Sequence, residues 1–205
     1  IINADLRWEW YLSEIDNLSV ALFYKDMDKP IERVVQAASG TAGNTRTFQN
    51  SDSAALYGVE LDGRFEFILG DGYDQTLFFA FNAAFIESEV SANNQEDRSL
   101  QGQPEYTANL IFGYDHVSAG HQLTVLLNQN GKSIADVGVS GQPDVFLEPR
   151  LDLNVVYRFG ISDSLTLKAK LENLLDDEIE YTQGGQVFQV YNRGPSIQVG
   201  LDWQF

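Results

Sequence analysis

The last ten residues of the chain, 196–205, read SIQVGLDWQF and decide its fold class. Every second residue is large and apolar: Ile197, Val199, Leu201, Trp203 and Phe205. The residues between them are small or polar. Alternation with a period of two is typical of a β-strand whose two faces meet different surroundings. This stretch therefore predicts a strand with one apolar face and one polar face.

The same alternation recurs in eight earlier segments. They lie near residues 5–12, 18–24, 55–68, 77–85, 106–115, 121–128, 151–159 and 165–172. Charged residues fill many of the polar positions, as Lys168 and Lys170 do, and such side chains must face water. Together with 196–205 this makes about nine strands, each near the 9 to 11 residues that a tilted strand needs to cross a bilayer.

The connections between these segments alternate between short and long. Short turns are predicted near 13–17, 70–73, 116–120 and 161–164, and long links near 29–54, 89–103, 135–148 and 176–193. Outer-membrane barrels have this asymmetry, with tight periplasmic turns at one rim and long extracellular loops at the other. Asn130-Gly131 is a strong hairpin signal inside a segment expected to be continuous, and predicts a bulge or a hairpin beyond the barrel rim.

Composition supports a barrel and argues against several other classes. No apolar run approaches the roughly 18 residues of a membrane-spanning helix, which leaves a closed barrel as the structure that satisfies its backbone in lipid. The mean hydropathy of −0.22 fits a wall of alternating residues. A net charge of −17 argues against nucleic-acid binding. Cysteine is absent, so disulfides and thiolate metal sites are excluded.

Three motifs carry a resemblance to a known family. They are Tyr57-Gly58-Val59-Glu60-Leu61, the stretch 171–177 with Ile179 and Tyr181, and Asn192-Arg193-Gly194-Pro195 before the final alternating run. In this order they resemble the C-terminal end of TonB-dependent outer-membrane receptors. The resemblance implies an all-β, antiparallel, up-and-down transmembrane barrel of roughly 22 strands that surrounds a plug domain. It also implies import of a scarce ligand, energised through a TonB box.

The resemblance leads us to expect that residues 1–205 are the C-terminal part of such a barrel in the outer membrane of a Gram-negative bacterium. An open sheet of nine strands would leave two unpaired edges in lipid, so roughly a dozen earlier strands and a plug are expected elsewhere in the protein. The expected partners are outer-membrane lipid, the plug and earlier strands, the TonB complex, a small ligand and the barrel-insertion machinery. Trp203 and Phe205 resemble the terminal aromatic signal for insertion, with the C-terminus on the periplasmic side.

No catalytic, metal or cofactor site is predicted, and we expect no enzyme. His116 and His121 flank a short turn without the partners of a triad, and are interpreted as solvated histidines. The acidic cluster Asp176, Asp177, Glu178 and Glu180 lacks the spacing of a calcium loop and is interpreted as a solvated or lumen-facing surface. Residues 40–43 and Gly184-Gly185 lack the context of phosphate loops and are interpreted as flexible loop apices.

Ligand contacts are expected on the long links, where charge or an aromatic ring would face the outside. The candidates are Arg33, Arg46, Asn93, Asp97, Arg98, Tyr181 and Gln183. The ligand itself stays open among a siderophore, haem, cobalamin, a glycan and a peptide. Two other hypotheses are a passive, porin-like or structural barrel, for which the acidic excess predicts cation preference, and a soluble all-β binding module.

Overall fold

A computed structural model describes residues 1–38, 43–70, 72–92 and 97–204 of the chain. These ranges form fifteen strands in two sheets, numbered β1 to β15 in chain order. The wall sheet contains β1 (Ile2–Tyr11), β2 (Asn17–Asp28), β5 (Ser53–Leu69), β6 (Gln75–Ser91), β7 (Tyr106–His116), β8 (His121–Asn130), β11 (Arg150–Ser162), β12 (Leu165–Glu172) and β15 (Ser196–Trp203). The loop sheet contains β3 (Ile31–Ala37), β4 (Asn44–Asn50), β9 (Ser133–Gly138), β10 (Val145–Leu147), β13 (Ile179–Gln183) and β14 (Gln186–Tyr191). Within these ranges there is no helix long and apolar enough to cross a membrane.

The wall sheet confirms the nine predicted strands and their order. Its strands run β1-β2-β5-β6-β7-β8-β11-β12-β15, and each neighbouring pair is antiparallel. Every wall strand thus pairs with the wall strands before and after it in the chain, as in an up-and-down barrel. The short connections lie at one end of this sheet, the short-turn end, and the long connections lie at the other, the long-link end.

The two faces of the wall sheet differ as the alternation predicts. On β15 the side chains of Ile197, Val199 and Trp203 are 71%, 69% and 71% exposed. Aromatic rings extend this apolar face across the sheet, where Phe79 lies 5.6 Å from Phe81 and 4.9 Å from Phe112. The opposite, polar face carries the charged residues of the same strands. A broad exposed apolar face of this kind requires a covering apolar phase.

The loop sheet was not predicted, because its strands lie inside the long links. Its order is β14-β13-β10-β9-β3-β4, and the parallel pair β3 and β9 joins two different links. Gly184-Gly185 form the turn between the paired strands β13 and β14, with φ angles of 59° and 75°, so the prediction of a loop apex there is confirmed. Only glycine adopts such angles without strain. Of the other predicted apex, residues 40–42 lie outside the described ranges.

The buried apolar cluster belongs to the loop sheet. Val34, Ile134 and Val137 are at most 4% exposed, and Val139 and Phe146 pack against them. Val35 and Val145 are also buried. The loop sheet therefore has a core of the kind found in water-soluble domains, whereas the wall sheet exposes its apolar face.

The dipeptide Asn130-Gly131 marks the boundary between the two sheets. β8 ends at Asn130 and β9 begins two residues after Gly131. The Gly131 amide donates to the Tyr106 carbonyl at 2.8 Å, and φ at Gly131 is not in the left-handed region that an Asn-Gly hairpin turn uses. The chain therefore passes straight from wall sheet to loop sheet, and the hairpin beyond the rim turns later, between β9 and β10.

Candidate functional site

The predicted ligand residues within the described ranges all lie in the long links. Arg33 is on β3, Arg46 on β4, and Tyr181 and Gln183 on β13. Asp97 and Arg98 lie in the link between β6 and β7. Asn93 lies outside the described residues. The structure gives these candidates different surroundings, and they divide into residues that hold the links together and residues that line a cavity.

Asp136 on β9 joins two of the predicted arginines. Its side chain is 2% exposed, and its two carboxylate oxygens bind Arg33 Nε and Arg46 Nε, the second at 2.8 Å. The Nη2 group of Arg33 also donates to the Ala135 carbonyl at 3.0 Å. A buried carboxylate requires paired cations to offset its lost hydration. Asp136 therefore fixes the β3–β4 hairpin against β9.

Arg98 is engaged by a second buried acid, Glu32 on β3. The guanidinium binds both Glu32 oxygens, at 2.7 and 2.8 Å, and the Ser51 hydroxyl and the Gln101 amide also donate to Glu32. Burial raises the pKa of the Glu32 carboxyl, but the hydrogen bonds from Arg98, Ser51 and Gln101 outweigh burial and hold that pKa below its usual value. Arg98 is 13% exposed, and its ion pair with Glu32 holds the β6–β7 link against the loop sheet.

A cavity of about 370 Å³ brings together two of the predicted residues, Arg33 and Tyr181. It is also lined by Phe48, Gln101, Ser133 and Leu147. The register explains this grouping, because Arg33 pairs with Phe48, and Leu147 pairs with both Ser133 and Tyr181. Within the described ranges, Arg33 Nη1 has no hydrogen-bond partner. The cavity thus offers two aromatic rings and a cation to a ligand.

Arg46 and Gln183 lie outside this cavity. Gln183 donates to the Pro143 carbonyl at 2.9 Å and accepts from Asn44 at 3.5 Å, so it bridges β13, β4 and the β9–β10 turn. Sequence reasoning missed Phe48, Gln101 and Leu147. An aromatic ring in a predicted link was a usable signal for Phe48, but the strand register that places it beside Arg33 was not recognised.

The polar face of the wall sheet carries a continuous row of polar residues. Direct register pairs join Glu9, Ser19, Asp62, Asn82, Asn109, Asn128 and Asp152 across seven adjacent strands. Hydrogen bonds link its members, with Asn82 donating to Asp62 at 2.5 Å and Asn109 donating to Asn82 at 3.3 Å. Such a row suits a surface in contact with water or with another polar surface.

A family model described as the TonB dependent receptor-like β-barrel matches residues 1–174. The chain belongs to this family. It is therefore part of an outer-membrane β-barrel of Gram-negative bacteria, in which the exposed apolar face of the wall sheet meets lipid. The family consists of receptors and transporters rather than enzymes.

Two kinds of relative support this assignment. The iron-regulated outer membrane virulence protein of Vibrio cholerae is 26% identical over 197 residues, which are 91% of this chain and 28% of that protein. A mutant of the ferric enterobactin receptor of Pseudomonas aeruginosa matches with a TM-score of 0.65 and 18% identity, over 99% of this chain and 31% of that one. The siderophore receptor PirA of Acinetobacter baumannii matches with the same score and identity, over 99% and 32%. This chain thus spans about a third or less of each of these proteins, and the two structural matches establish the fold alone.

One motif of the TonB-dependent receptor resemblance has a clear structural role. Asn173, after β12, is 5% exposed and has a φ of 53°, which asparagine tolerates better than most residues. Its side-chain amide donates to the Gly194 carbonyl at 3.1 Å, and its backbone amide donates to Asn154 at 3.0 Å. Asn173 therefore ends β12 and ties it to β11 and to the start of β15.

The histidines and the acidic cluster have structural surroundings. His116 and His121 form a register pair on the apolar face, and His121 stacks on Phe159 at 4.6 Å and contacts the Tyr157 hydroxyl at 2.6 Å. They belong to an aromatic band at the short-turn end, where both histidines are partly exposed and His116 Nε2 lies 3.4 Å from an Asp74 carboxylate oxygen. Asp177 accepts from the Leu151 amide at 2.6 Å. Across the described part of the chain, no group of three or more His, Cys, Asp or Glu could hold a metal.

Proposed function

We propose that the chain forms the C-terminal wall and the outer loops of a receptor that imports a ferric siderophore with energy from the TonB complex. The observation that carries this proposal is membership in the TonB-dependent receptor family over residues 1–174. The relatives suggest the ligand class, since one is iron-regulated and two are receptors for siderophores or a ferric siderophore. The plug, the TonB box and the earlier strands belong to the rest of the protein.

The asymmetry of the connections supports one orientation of the barrel in the membrane. In this proposal the long-link end and the loop sheet face the outside of the cell, and the short turns and the C-terminus face the periplasm. Trp203 then stands at the periplasmic rim, where the insertion machinery reads it, while Phe205, the other predicted residue of this signal, lies outside the described residues. The loop sheet is held in one arrangement by Asp136 and Glu32, so its cavity is formed before the ligand arrives.

The cavity suits an anionic, aromatic chelate. Tyr181 and Phe48 offer ring faces, and Arg33 offers a cation whose Nη1 group has no hydrogen-bond partner among the described residues. Ferric catecholates combine aromatic rings with negative charge, so we propose them as the ligand class. Arg33, Phe48 and Tyr181 are the proposed contacts, while Arg46, Arg98 and Gln183 hold the loop sheet in shape, and Asn93 and Asp97 remain predicted contacts.

The test uses the complete receptor, in cells that lack their own catecholate receptors. Uptake of radioactive iron supplied as a ferric catecholate should occur under iron limitation and should stop when the TonB complex is deleted. Phe48→Ala and Tyr181→Ala should each weaken binding about tenfold. Phe188→Ala is the matched control, because Phe188 is an exposed aromatic residue of β14 outside the cavity and should leave binding unchanged.

Two results would overturn the proposal. Uptake that persists without the TonB complex, with cation preference in planar bilayers, would favour the porin-like alternative. Energised uptake of haem, cobalamin, a glycan or a peptide instead of the catecholate would retain the receptor and reject the ligand class.

A further inference from the structure

The strand β14 forms an open edge of the loop sheet. It pairs with β13 on one side, and no other strand within the described ranges lies along its second side. The backbone groups of β14 make no hydrogen bond to any other described segment. An open edge of this kind is a template on which a further strand can pair.

The sequence of β14 does little to keep this edge unpaired. It reads QVFQVY, with a bulge at Phe188 but with no charged residue and no proline. The apolar side chains of Val187, Val190 and Tyr191 are exposed. Short segments of high β-propensity that lack charge and proline associate readily with other strands. The second side of β14 is therefore expected to be covered in the complete receptor.

The opposite edge of the loop sheet, β4, has a different composition. It reads NTRTFQN, in which Phe48 is the one large apolar residue and the others are polar or charged. Phe48 lines the ligand cavity, and Arg46 is paired with Asp136. A polar edge is stable against water. The apolar character of β14 is therefore not a general property of edges in this sheet.

The open edge of β14 continues into an open edge of the wall sheet. β14 ends at Tyr191 and β15 begins at Ser196, so only residues 192–195 lie between them. β15 pairs with β12 on one side and is the last strand of the wall sheet, as β14 is the last strand of the loop sheet. The two open edges thus follow each other along one stretch of chain.

Closure of the barrel determines which segment reaches β14. In a closed up-and-down barrel the free side of β15 pairs with the first strand of the barrel. β15 runs from the long-link end to the short-turn end, so an antiparallel partner runs towards the long-link end. Beyond Ser196 the chain that follows this partner rises beside β14. The curated relative continues far beyond the matched region, which is 28% of its length, so a receptor of this kind has ample chain to supply that segment.

We propose that the link after the barrel's first strand, called the first long link, adds a strand to the loop sheet along β14. The seam that closes the wall then extends into the loop sheet. The added strand supports the ligand cavity from the side, because the ring of Tyr191 on β14 contacts the ring of Tyr181 at 6.1 Å. This inference goes beyond the proposed function, since it needs the closed barrel of the family but no particular ligand.

The first experiment measures hydrogen exchange in the complete receptor in lipid nanodiscs. A variant in which a short Gly-Ser linker replaces the first long link is compared with the wild type. Exchange of the β14 amides should rise about tenfold in the variant, as expected when an amide loses one backbone hydrogen bond. Exchange in β4 and in the wall strands should stay unchanged, and heat-modifiable migration in gels verifies that both barrels are folded. Equal exchange of β14 in the two proteins would overturn the proposal.

The second experiment identifies the partner strand by disulfide formation. Val190→Cys is combined with single cysteines placed one at a time along the first long link, and these 205 residues contribute no cysteine of their own. Oxidation should join Val190→Cys to alternating positions of one short stretch, because the side chains of a paired strand point to alternate faces. Thr47→Cys on the polar edge β4 is the matched control and should form no disulfide with the same series.

Three outcomes of the second experiment would overturn the proposal. A disulfide between two receptor copies would assign β14 to an interface between copies. Equal yields at consecutive positions of the first long link would indicate random collision rather than a paired strand. Equal yields from Val190→Cys and Thr47→Cys would remove the distinction between the two edges. A receptor that shows the expected disulfides but imports no ferric siderophore would refute the proposed ligand and retain this inference.

Discussion

The wall sheet and the loop sheet lie in one chain but are stabilised by different means. In the wall sheet the large apolar side chains point outward and stay exposed, as at Val199 and Phe112. In the loop sheet the aliphatic residues Val34 and Val137 are buried, and two buried carboxylates hold arginines from neighbouring segments. The stability of the wall sheet depends on a surrounding apolar phase, whereas the loop sheet is stabilised by a buried core of its own.

Because of this difference, the same exposed fraction of a side chain has different energetic consequences in the two sheets. Phe112 on the wall sheet is 51% exposed and Phe48 on the loop sheet is 72% exposed. The first is exposed to lipid and the second, in our proposal, to water. A charge at either position distinguishes the two environments.

The largest effect is expected for Phe112→Lys. Phe112 lies in the middle of β7 on the apolar face, and its ring centroid is 4.9 Å from that of Phe79. A lysine there should destabilise the barrel in lipid vesicles by about 4 kcal/mol, measured by urea titration. Phe48→Lys should change the unfolding free energy by less than about 0.5 kcal/mol, because its ammonium group stays in water. Equal losses for the two variants would contradict the assignment of their surroundings.

The sequence predicts the wall sheet well, because its signal is local. Alternation along residues 165–172 and 196–205 identifies each strand by itself, and short turns fix which strands are neighbours. The lipid-facing side is then the side on which Ile197 and Leu201 fall. Neither inference requires knowledge of a distant contact.

The loop sheet could not be predicted in this way. β3 reads IERVVQA. The charged Glu32 is buried in it, and so are the consecutive residues Val34 and Val35, so the alternation fails. β10 has only three residues. The contact between Arg33 and Asp136 spans 103 positions of sequence, and nothing local indicates it. Arg33 and Tyr181 were therefore predicted as ligand contacts from residue type, but their shared cavity was not.

A smaller effect is expected for Asp136→Asn. The change removes the only carboxylate that contacts Arg33 and Arg46 within the described ranges, so two cations face each other across a neutral amide. The free energy of unfolding of the loop sheet should fall by about 2 kcal/mol. The loss is limited because both arginines remain partly hydrated. Hydrogen exchange should accelerate in β3, β4 and β9 but not in the wall strands. Acceleration in both sheets would show that the loop sheet does not fold as a unit of its own.

Low pH provides a third test through Glu32. Since the pKa of Glu32 is lowered in the folded protein, its stabilising contribution is complete above the ordinary pKa of 4.5 and is lost as the pH falls from there through the lowered pKa. Exchange near Arg98 and Gln101 should rise by at most about tenfold per pH unit in that range. Glu32→Gln should raise exchange at neutral pH and abolish this dependence. A pH dependence that survives in Glu32→Gln would assign it to another acid.

The smallest effect is expected for Glu148→Gln, at a partly exposed ion pair. Glu148 accepts from Lys132 at 2.8 Å and from Thr182 at 2.5 Å, and these two hydrogen bonds hold its pKa below the usual range. In the variant, the free energy of local opening near β10 and β13, measured by hydrogen exchange, should fall by about 0.5 kcal/mol. High salt should remove most of that difference. Glu9→Gln is the wall-sheet comparison. Glu9 pairs with Arg7 on the same strand, so its loss separates no elements and should leave exchange in β1 unchanged. If Glu9→Gln accelerated exchange as much as Glu148→Gln, ion pairs would contribute equally to both sheets. The proposed contrast, in which register and lipid hold the wall sheet and its own contacts hold the loop sheet, would then be wrong.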